Sequence, residues 1–411
     1  MKKYATLFPI LGSLTFTIFS TLLGLTYVSG NSSIYILYNV AVAGCVYLYC
    51  FFSFLIKPFR INVPLLVSIL AVVYICVSFL LIYFSFNDIN ERVTNFFSYF
   101  IIWSLPAFLF GIVVGHSKLL GEIEKTLDVL MLVLSAVVIV NGVFYFSVGG
   151  RTSSSVSGSS NYQTMSYVSA LAFALDYYLL TQGNTITRRS FFANNRLYRA
   201  LCMILLPLQL LSLIVTGGRG GFVLLCVYFI YITLLRSREF TSRRKKITIC
   251  FCFFFGIGFL LVSSNEALQI GFERITQFIG AEGIDWSGTS NRDIVYSTAL
   301  KYIKERPVLG WGIFGYLNNM DNPHNIFLEL LLGGGAVYFL AACTFLGLLL
   351  IKYHYMAKRK PEFRIMFIFF LYGFVMLMFS GTYLVSPELW VFIGVVASYN
   401  SYKDRPQPAN E

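Results

Sequence analysis

Residues 201–235 read LCMILLPLQLLSLIVTGGRGGFVLLCVYFIYITLL. Two apolar runs, about 200–216 and 221–235, flank the pentapeptide Gly217-Gly218-Arg219-Gly220-Gly221. A bilayer-spanning helix needs about 20 apolar residues, so the stretch reads as two membrane spans joined at a glycine corner. Working outward, ten further candidates follow the same pattern. They are Ala5 to Val28, then about 34–56, 63–86, 96–115, 126–148, 163–181, 247–263, 325–351, 365–386 and 389–401. The first follows Lys2 and Lys3, is too long for a signal-peptide core and lacks a small-residue cleavage site, so it reads as a retained span. The last is short enough to be a re-entrant or interfacial piece.

Composition agrees. Of 411 residues, 57% are hydrophobic and only 12% charged, against about 25% charged in an ordinary soluble domain. Mean hydropathy is +0.71. These values exclude a soluble globular protein, a disordered chain and a nucleic-acid-binding module. The expected fold class is an all-α polytopic membrane protein with about twelve transmembrane helices, forming one membrane domain over 1–411. All eight cysteines lie in apolar stretches and form no metal-ligand spacing; they read as small buried hydrophobes.

Charge sets the expected orientation. Basic residues exceed acidic ones by 31 to 19, and such an excess collects in cytoplasmic loops. With both termini inside, the inner segments hold 23 of the basic residues and the outer ones 8, five of them in one long loop. Arg236, Arg238, Arg243, Arg244, Lys245 and Lys246 carry most of the bias and read as a topological anchor. The outer face then holds the polar loop Gly149 to Tyr162 and one large loop, 264–324.

The large loop has a helical pattern of its own. Leu268, Phe272, Ile275 and Ile279 recur at helical intervals, suggesting a helix on the membrane surface. Ser290 and Asp293 form a capping-box pattern opening a second helix, from about Asn291 to Arg306, which Pro307 ends. Arg292 falls on the apolar side of that helix, with Val295, Tyr296 and Ala299, where a cation wants an anion. A glycine-punctuated turn, Val308 to Gly312, follows, and Pro323-His324-Asn325 opens a long span.

Three cations are candidate anion ligands. Arg219 stands almost alone at the outer boundary among four glycines that allow tight turns and close approach; its planar fork of donors suits phosphate. Arg292 is the second, and Arg151, in the flexible outer loop, the third. His324 is expected at a helix N-terminus, where the dipole disfavours imidazolium, so a neutral ring there suits a general base. His116 and His354 fall in cytoplasmic loops and read as surface residues. Asp285, Asp293 and Asp321 share the large loop without a recognisable metal spacing. Two arginines and a base at one face fit transfer of a group from a lipid-linked phosphate or pyrophosphate to a hydroxyl, the arginines stabilising charge on the leaving group.

The run Arg292 to Gly335, RDIVYSTALKYIKERPVLGWGIFGYLNNMDNPHNIFLELLLGGG, resembles the signature region of the O-antigen polymerase and O-antigen ligase superfamily. Thr216 to Val223, TGGRGGFV, looks like that family's membrane-boundary arginine, and Asn161 to Ala170, NYQTMSYVSA, resembles a segment common among its polymerases. The resemblance implies a GT-C-like membrane glycosyltransferase, inverting and independent of cofactor or metal. Arg219 and Arg292 would bind an undecaprenyl pyrophosphate and His324 would be the base. Tyr162, Gln163 and Asn325, with Arg151, are the substrate-binding candidates. The implied partners are an undecaprenyl-pyrophosphate-linked donor and acceptor, the bilayer and a chain-length-regulating membrane protein, with no nucleic acid. The implied location is a bacterial inner membrane with the active site facing the periplasm. A polymerase is the first reading and a ligase the second. A lipid-linked-sugar flippase is the alternative of another class; it would more often place ionisable groups within spans, where Asp176 is the clearest acid.

Overall fold

A computed structural model describes residues 8–12, 14–24, 32–56, 59–85, 89–117, 119–149, 161–182, 196–233, 265–276, 279–280, 283–284, 292–360 and 363–399. They are overwhelmingly helical. The helices are α1 (Phe8–Leu11), α2 (Leu14–Leu22), α3 (Ser33–Ile56), α4 (Val63–Ser85), α5 (Glu91–His116), α6 (Leu119–Ser147) and α7 (Tyr162–Gln182). There follow α8 (Arg196–Thr216), α9 (Arg219–Thr233), α10 (Glu266–Thr276), α11 (Arg292–Glu305), α12 (Ile326–Arg359), α13 (Arg364–Phe379) and α14 (Pro387–Ser398). Two residues of each of β1 (Ile279–Gly280) and β2 (Gly283–Ile284) pair antiparallel between α10 and α11.

Six described helices, α3, α4, α5, α6 from Thr126, α8 and α12, are long and apolar enough to cross a membrane; α9, α13 and α14 are shorter apolar helices. The chain is a multi-pass membrane protein. α3 and α4 turn Leu37, Leu55, Leu70 and Leu81 outward, as lipid-facing helices do, because a helix closes its own backbone bonds and needs no polar partner. α7 is the central post: every residue from Met165 to Thr181 is buried, and it packs against α6, α8, α9 and α13. Here Asp176 accepts from Gln209 Nε2 at 2.5 Å, and the same nitrogen donates to Ser135 Oγ at 2.8 Å. Asp176 therefore pairs neighbouring helices across the bundle, a common use of polar side chains within membranes.

Several expectations are corrected. The first apolar stretch is not a continuous span where it is described. It breaks between α1 and α2 at Gly12, whose φ is +50°, where Pro387 at the start of α14 presses against it. The final apolar segment, α14, packs within the bundle. α14 is buried along its length except at Ile393 and lies along α5, with Gly111 and Gly394 letting the backbones meet. Twelve residues rise about 18 Å, short of the roughly 30 Å hydrocarbon layer. The candidate span at 247–263 lies outside the described residues. α10 buries Ala267, Leu268, Gly271 and Ile275, with Gly271 seated on the Ile214 carbonyl at the end of α8.

The long span after His324 is kinked. Gly334 and Gly335 leave helical geometry, Gly335 at φ +60°. The turn after α11 fills the break: Pro307 O accepts from Ala336 N–H at 2.8 Å, and Trp311 N–H donates to Leu332 O at 2.8 Å. Trp311 is held further by the Arg306 guanidinium, 4.1 Å over its ring, and by its own indole N–H bonding Tyr302 O at 2.9 Å. The Val308 to Gly312 motif is thus a wedge in a broken helix.

Candidate functional site

The glycine corner comes first. Gly217, at φ +65°, ends α8, its N–H donating to Leu213 O and Ile214 O. α9 begins at once with Arg219. The other three glycines let α7 approach. A Cβ at Gly218 or Gly221 would run into Ser166, and one at Gly220 into the Tyr167 phenol. Ser166 Oγ donates to Gly218 O at 2.9 Å. Helix packing therefore accounts for these glycines, and it delivers a half-buried Arg219 to the boundary.

Arg292 and His324 are brought to this corner from separate stretches. The Arg292 charge acts on both Arg219 and His324, and Tyr162 is within electrostatic reach of Arg219. The crossing between α13 and α14, residues 379–383, holds the two. Arg292 Nη2 donates to Phe379 O at 2.5 Å, with the guanidinium 5.9 Å over the Phe379 ring. Asn322 Nδ2 donates to Gly381 O at 3.0 Å, and Asn322 Oδ1 accepts from the His324 N–H at 2.9 Å. His324 adopts φ +52°, in the left-handed region; such strain persists where surrounding bonds over-determine it. Beneath the crossing, the buried Glu329 carboxylate accepts from the Thr382 hydroxyl and, at 3.4 Å each, from Tyr383 N–H and the Tyr316 hydroxyl.

His324 keeps a solvent-exposed face. Partial burial and then the Arg292 charge hold its pKa below the ordinary histidine value, against the Gly381 backbone and Asp321, which favour the imidazolium. The ring is therefore neutral through most of the physiological range and able to accept a proton.

Tyr162 and Gln163 open α7 beside the corner. Gln163 Nε2 donates to the Tyr162 hydroxyl at 3.2 Å, and the Gln163 backbone passes close to Gly218. The Tyr162 ring also carries a guanidinium that sequence reasoning passed over: Arg274 of α10 lies 5.7 Å from its centroid, its stem packed on Gly217. A lone arginine on an amphipathic helix reads as a surface residue; only the seating of α10 brings it here. The 379–383 crossing was equally illegible, because its contribution is made through backbone carbonyls.

Other candidates fare differently. Arg151, Asp285 and Ser290 lie outside the described residues. Asn325 caps α12, its Oδ1 accepting from Phe327 and Leu328 N–H, so its side-chain oxygen is committed to the helix rather than to a ligand. His324 stands one residue before that cap. Asp321 pairs with Arg92, and Asp293 is exposed. Among the described residues no three His, Cys, Asp or Glu side chains are grouped to hold a metal ion.

Residues 202–343, from α8 into α12, match the family model described as O-antigen ligase. The matched stretch contains Arg219, Arg274, Arg292 and His324. The match agrees with the O-antigen polymerase and ligase superfamily and supports a glycosyltransferase-like enzyme in O-antigen assembly. It does not separate polymerase from ligase, and it gives the flippase reading no support. No curated protein matches the chain.

Proposed function

We propose that this protein is a surface-polysaccharide polymerase of the O-antigen type, acting at the periplasmic face of a bacterial inner membrane. It transfers a glycan from an undecaprenyl-pyrophosphate-linked donor to a sugar hydroxyl of a lipid-linked repeat unit. The observation that carries this reading is the 379–383 crossing, whose carbonyls hold Arg292 and, through Asn322, His324, with Arg219 within electrostatic reach of Arg292. In the proposed step the acceptor oxygen bonds to the anomeric carbon as the bond from that carbon to the pyrophosphate oxygen breaks. The pyrophosphate lipid leaves with the bonding electron pair, its growing charge met by the arginines. The hydroxyl proton passes to neutral His324, and attack opposite the leaving group inverts the anomeric centre. The twelve-span GT-C-like layout, cytoplasmic termini, metal independence and a chain-length-regulating partner belong to the same proposal. A second reading, a ligase that transfers the glycan to lipid A core, carries the same description as the family model.

Electrophoresis of surface glycan from a strain lacking the gene tests this. Core capped by a single repeat unit is the expected result. Bare core, with long polymer left on its lipid carrier, would replace polymerase by ligase. An unchanged ladder would overturn both.

A further inference from the structure

Glu329 stands on α12, five positions after His324, and is buried. Packing alone asks for an apolar side chain there, because a buried carboxyl group is costly unless donors or a cation meet it. Among the described residues Glu329 makes no ion pair, and neutral donors from two other segments meet it instead. One is the Tyr316 hydroxyl, at 3.4 Å, from the turn Gly315–Asn318 that leads towards Asn322 and His324. The others come from the crossing between α13 and α14: the Thr382 hydroxyl and, at 3.4 Å, the Tyr383 N–H. A carboxylate with both oxygens accepting can take a hydroxyl, a phenol and a backbone N–H at once. Thr382 passes the constraint on, since its hydroxyl oxygen accepts from Leu384 N–H at 3.2 Å and caps the turn Tyr383–Val385.

The far half of the crossing has other anchors. Trp390 Nε1 of α14 donates to Tyr383 O at 2.8 Å, and Ser104 Oγ of α5 donates to Leu384 O at 2.7 Å. The near half carries the two carbonyls that matter to the site, Phe379 O under Arg292 and Gly381 O under Asn322. The tether that follows them in the chain is Thr382 on Glu329. We propose that Glu329 is a positioning residue for glycan transfer: through Thr382 and Tyr383 it holds the crossing whose carbonyls place Arg292 and, through Asn322, His324. Buried as it is, it acts through the crossing rather than on substrate. This rests on the reading of Arg292 and His324 as the residues that carry the chemistry.

Two readouts on the full chain in detergent test it. The first, amide hydrogen exchange, needs no substrate. In Glu329→Met the amides of Tyr383, Leu384 and His324 should exchange about tenfold or more faster than in the wild type, a local opening that leaves α7 and α8 protected. The second is the kinetics of transfer between lipid-linked repeat units. There kcat per folded molecule should fall about tenfold to a hundredfold, the scale of a small misplacement of reacting groups, with KM changing less than kcat. A merely structural carboxylate would lower the melting temperature and the yield and leave kcat per folded molecule intact. Thr382→Val, which removes the hydroxyl at nearly constant shape, should lower kcat likewise, and Thr382→Ser, which keeps it, should not; this pair carries the test if Glu329→Met does not fold. Unchanged exchange at the crossing, unchanged kcat in folded Glu329→Met or Thr382→Val, or equal losses in Thr382→Ser and Thr382→Val would each overturn the positioning role. A wild type that transfers no glycan would instead overturn the function on which the role rests, and the exchange readout would still decide whether Glu329 holds the crossing.

Discussion

Two polar clusters occupy this apolar molecule, and they are opposite in kind. Within the bundle, Asp176 of α7 is met by Gln209 of α8, whose own Oε1 is a buried acceptor without a partner among the described residues. At the corner where α7, α8, α9 and α10 meet, donors are left over instead: the buried Tyr167 hydroxyl, against Gly220, lacks a partner among the described residues, and Arg274 lies over the Tyr162 ring. The inner cluster ties one helix to its neighbours through Gln209 and Ser135. At the corner, Arg292 is answered by a carbonyl and a ring, and Arg274 by a ring. An isolated acid among apolar helices is satisfied by an amide, whereas guanidiniums brought near one another favour a bound anion.

Substitution should separate the two. His324→Ala and Arg292→Ala are expected to lower glycan transfer about 10²-fold to 10³-fold, the scale of losing a general base or a charge-stabilising donor, with membrane abundance unchanged. Asp176→Leu is expected to do the reverse. By leaving the Gln209 amide with only one of its two acceptors, Ser135, it should cost about 1–3 kcal/mol of stability, seen as a lower melting temperature, with activity per folded molecule retained. Full activity of His324→Ala at normal abundance would remove the base; lost activity of a well-folded Asp176→Leu would give the inner cluster a working role.

A smaller effect concerns pH. His324 must be neutral to accept a proton, so activity should rise with pH through its pKa, which lies below the ordinary histidine value. Arg292 contributes to that depression. Arg292→Gln should let the pKa rise, so the residual activity should show its acid limb at higher pH than the wild type. An acid limb that stays in place would mean that another group limits the rate.

The smallest effects concern the two glycine runs, which look alike in sequence. Gly220→Ala drives a methyl into the Tyr167 phenol and Gly335→Ala strains a residue at φ +60°; each should cost about 1–3 kcal/mol, measured by thermal melting. Only Gly220→Ala, which displaces Tyr167, should also weaken diphosphate binding. Equal effects on binding would mean that the kink in α12 is coupled to the corner.

Residue chemistry and periodicity suffice for much of this. Long apolar runs specify membrane helices because backbone polar groups in hydrocarbon must pair internally. The α11 segment, ended by Pro307, was legible for local reasons, as was the placing of Arg219 between two apolar runs. Whether an apolar run is one helix or two was not legible. Gly12 and Gly335 become breaks because Pro387 and the Pro307 to Gly312 wedge press on them, and those neighbours are distant in sequence. The tertiary structure alone decided that Asn325 caps a helix, that Arg274 joins Tyr162, and that the carbonyls of Phe379 and Gly381 hold Arg292 and Asn322. Such partnerships pair charged or polar side chains with backbone atoms, rings or glycine gaps, and a residue's identity carries no record of which carbonyl or ring folding will bring to it.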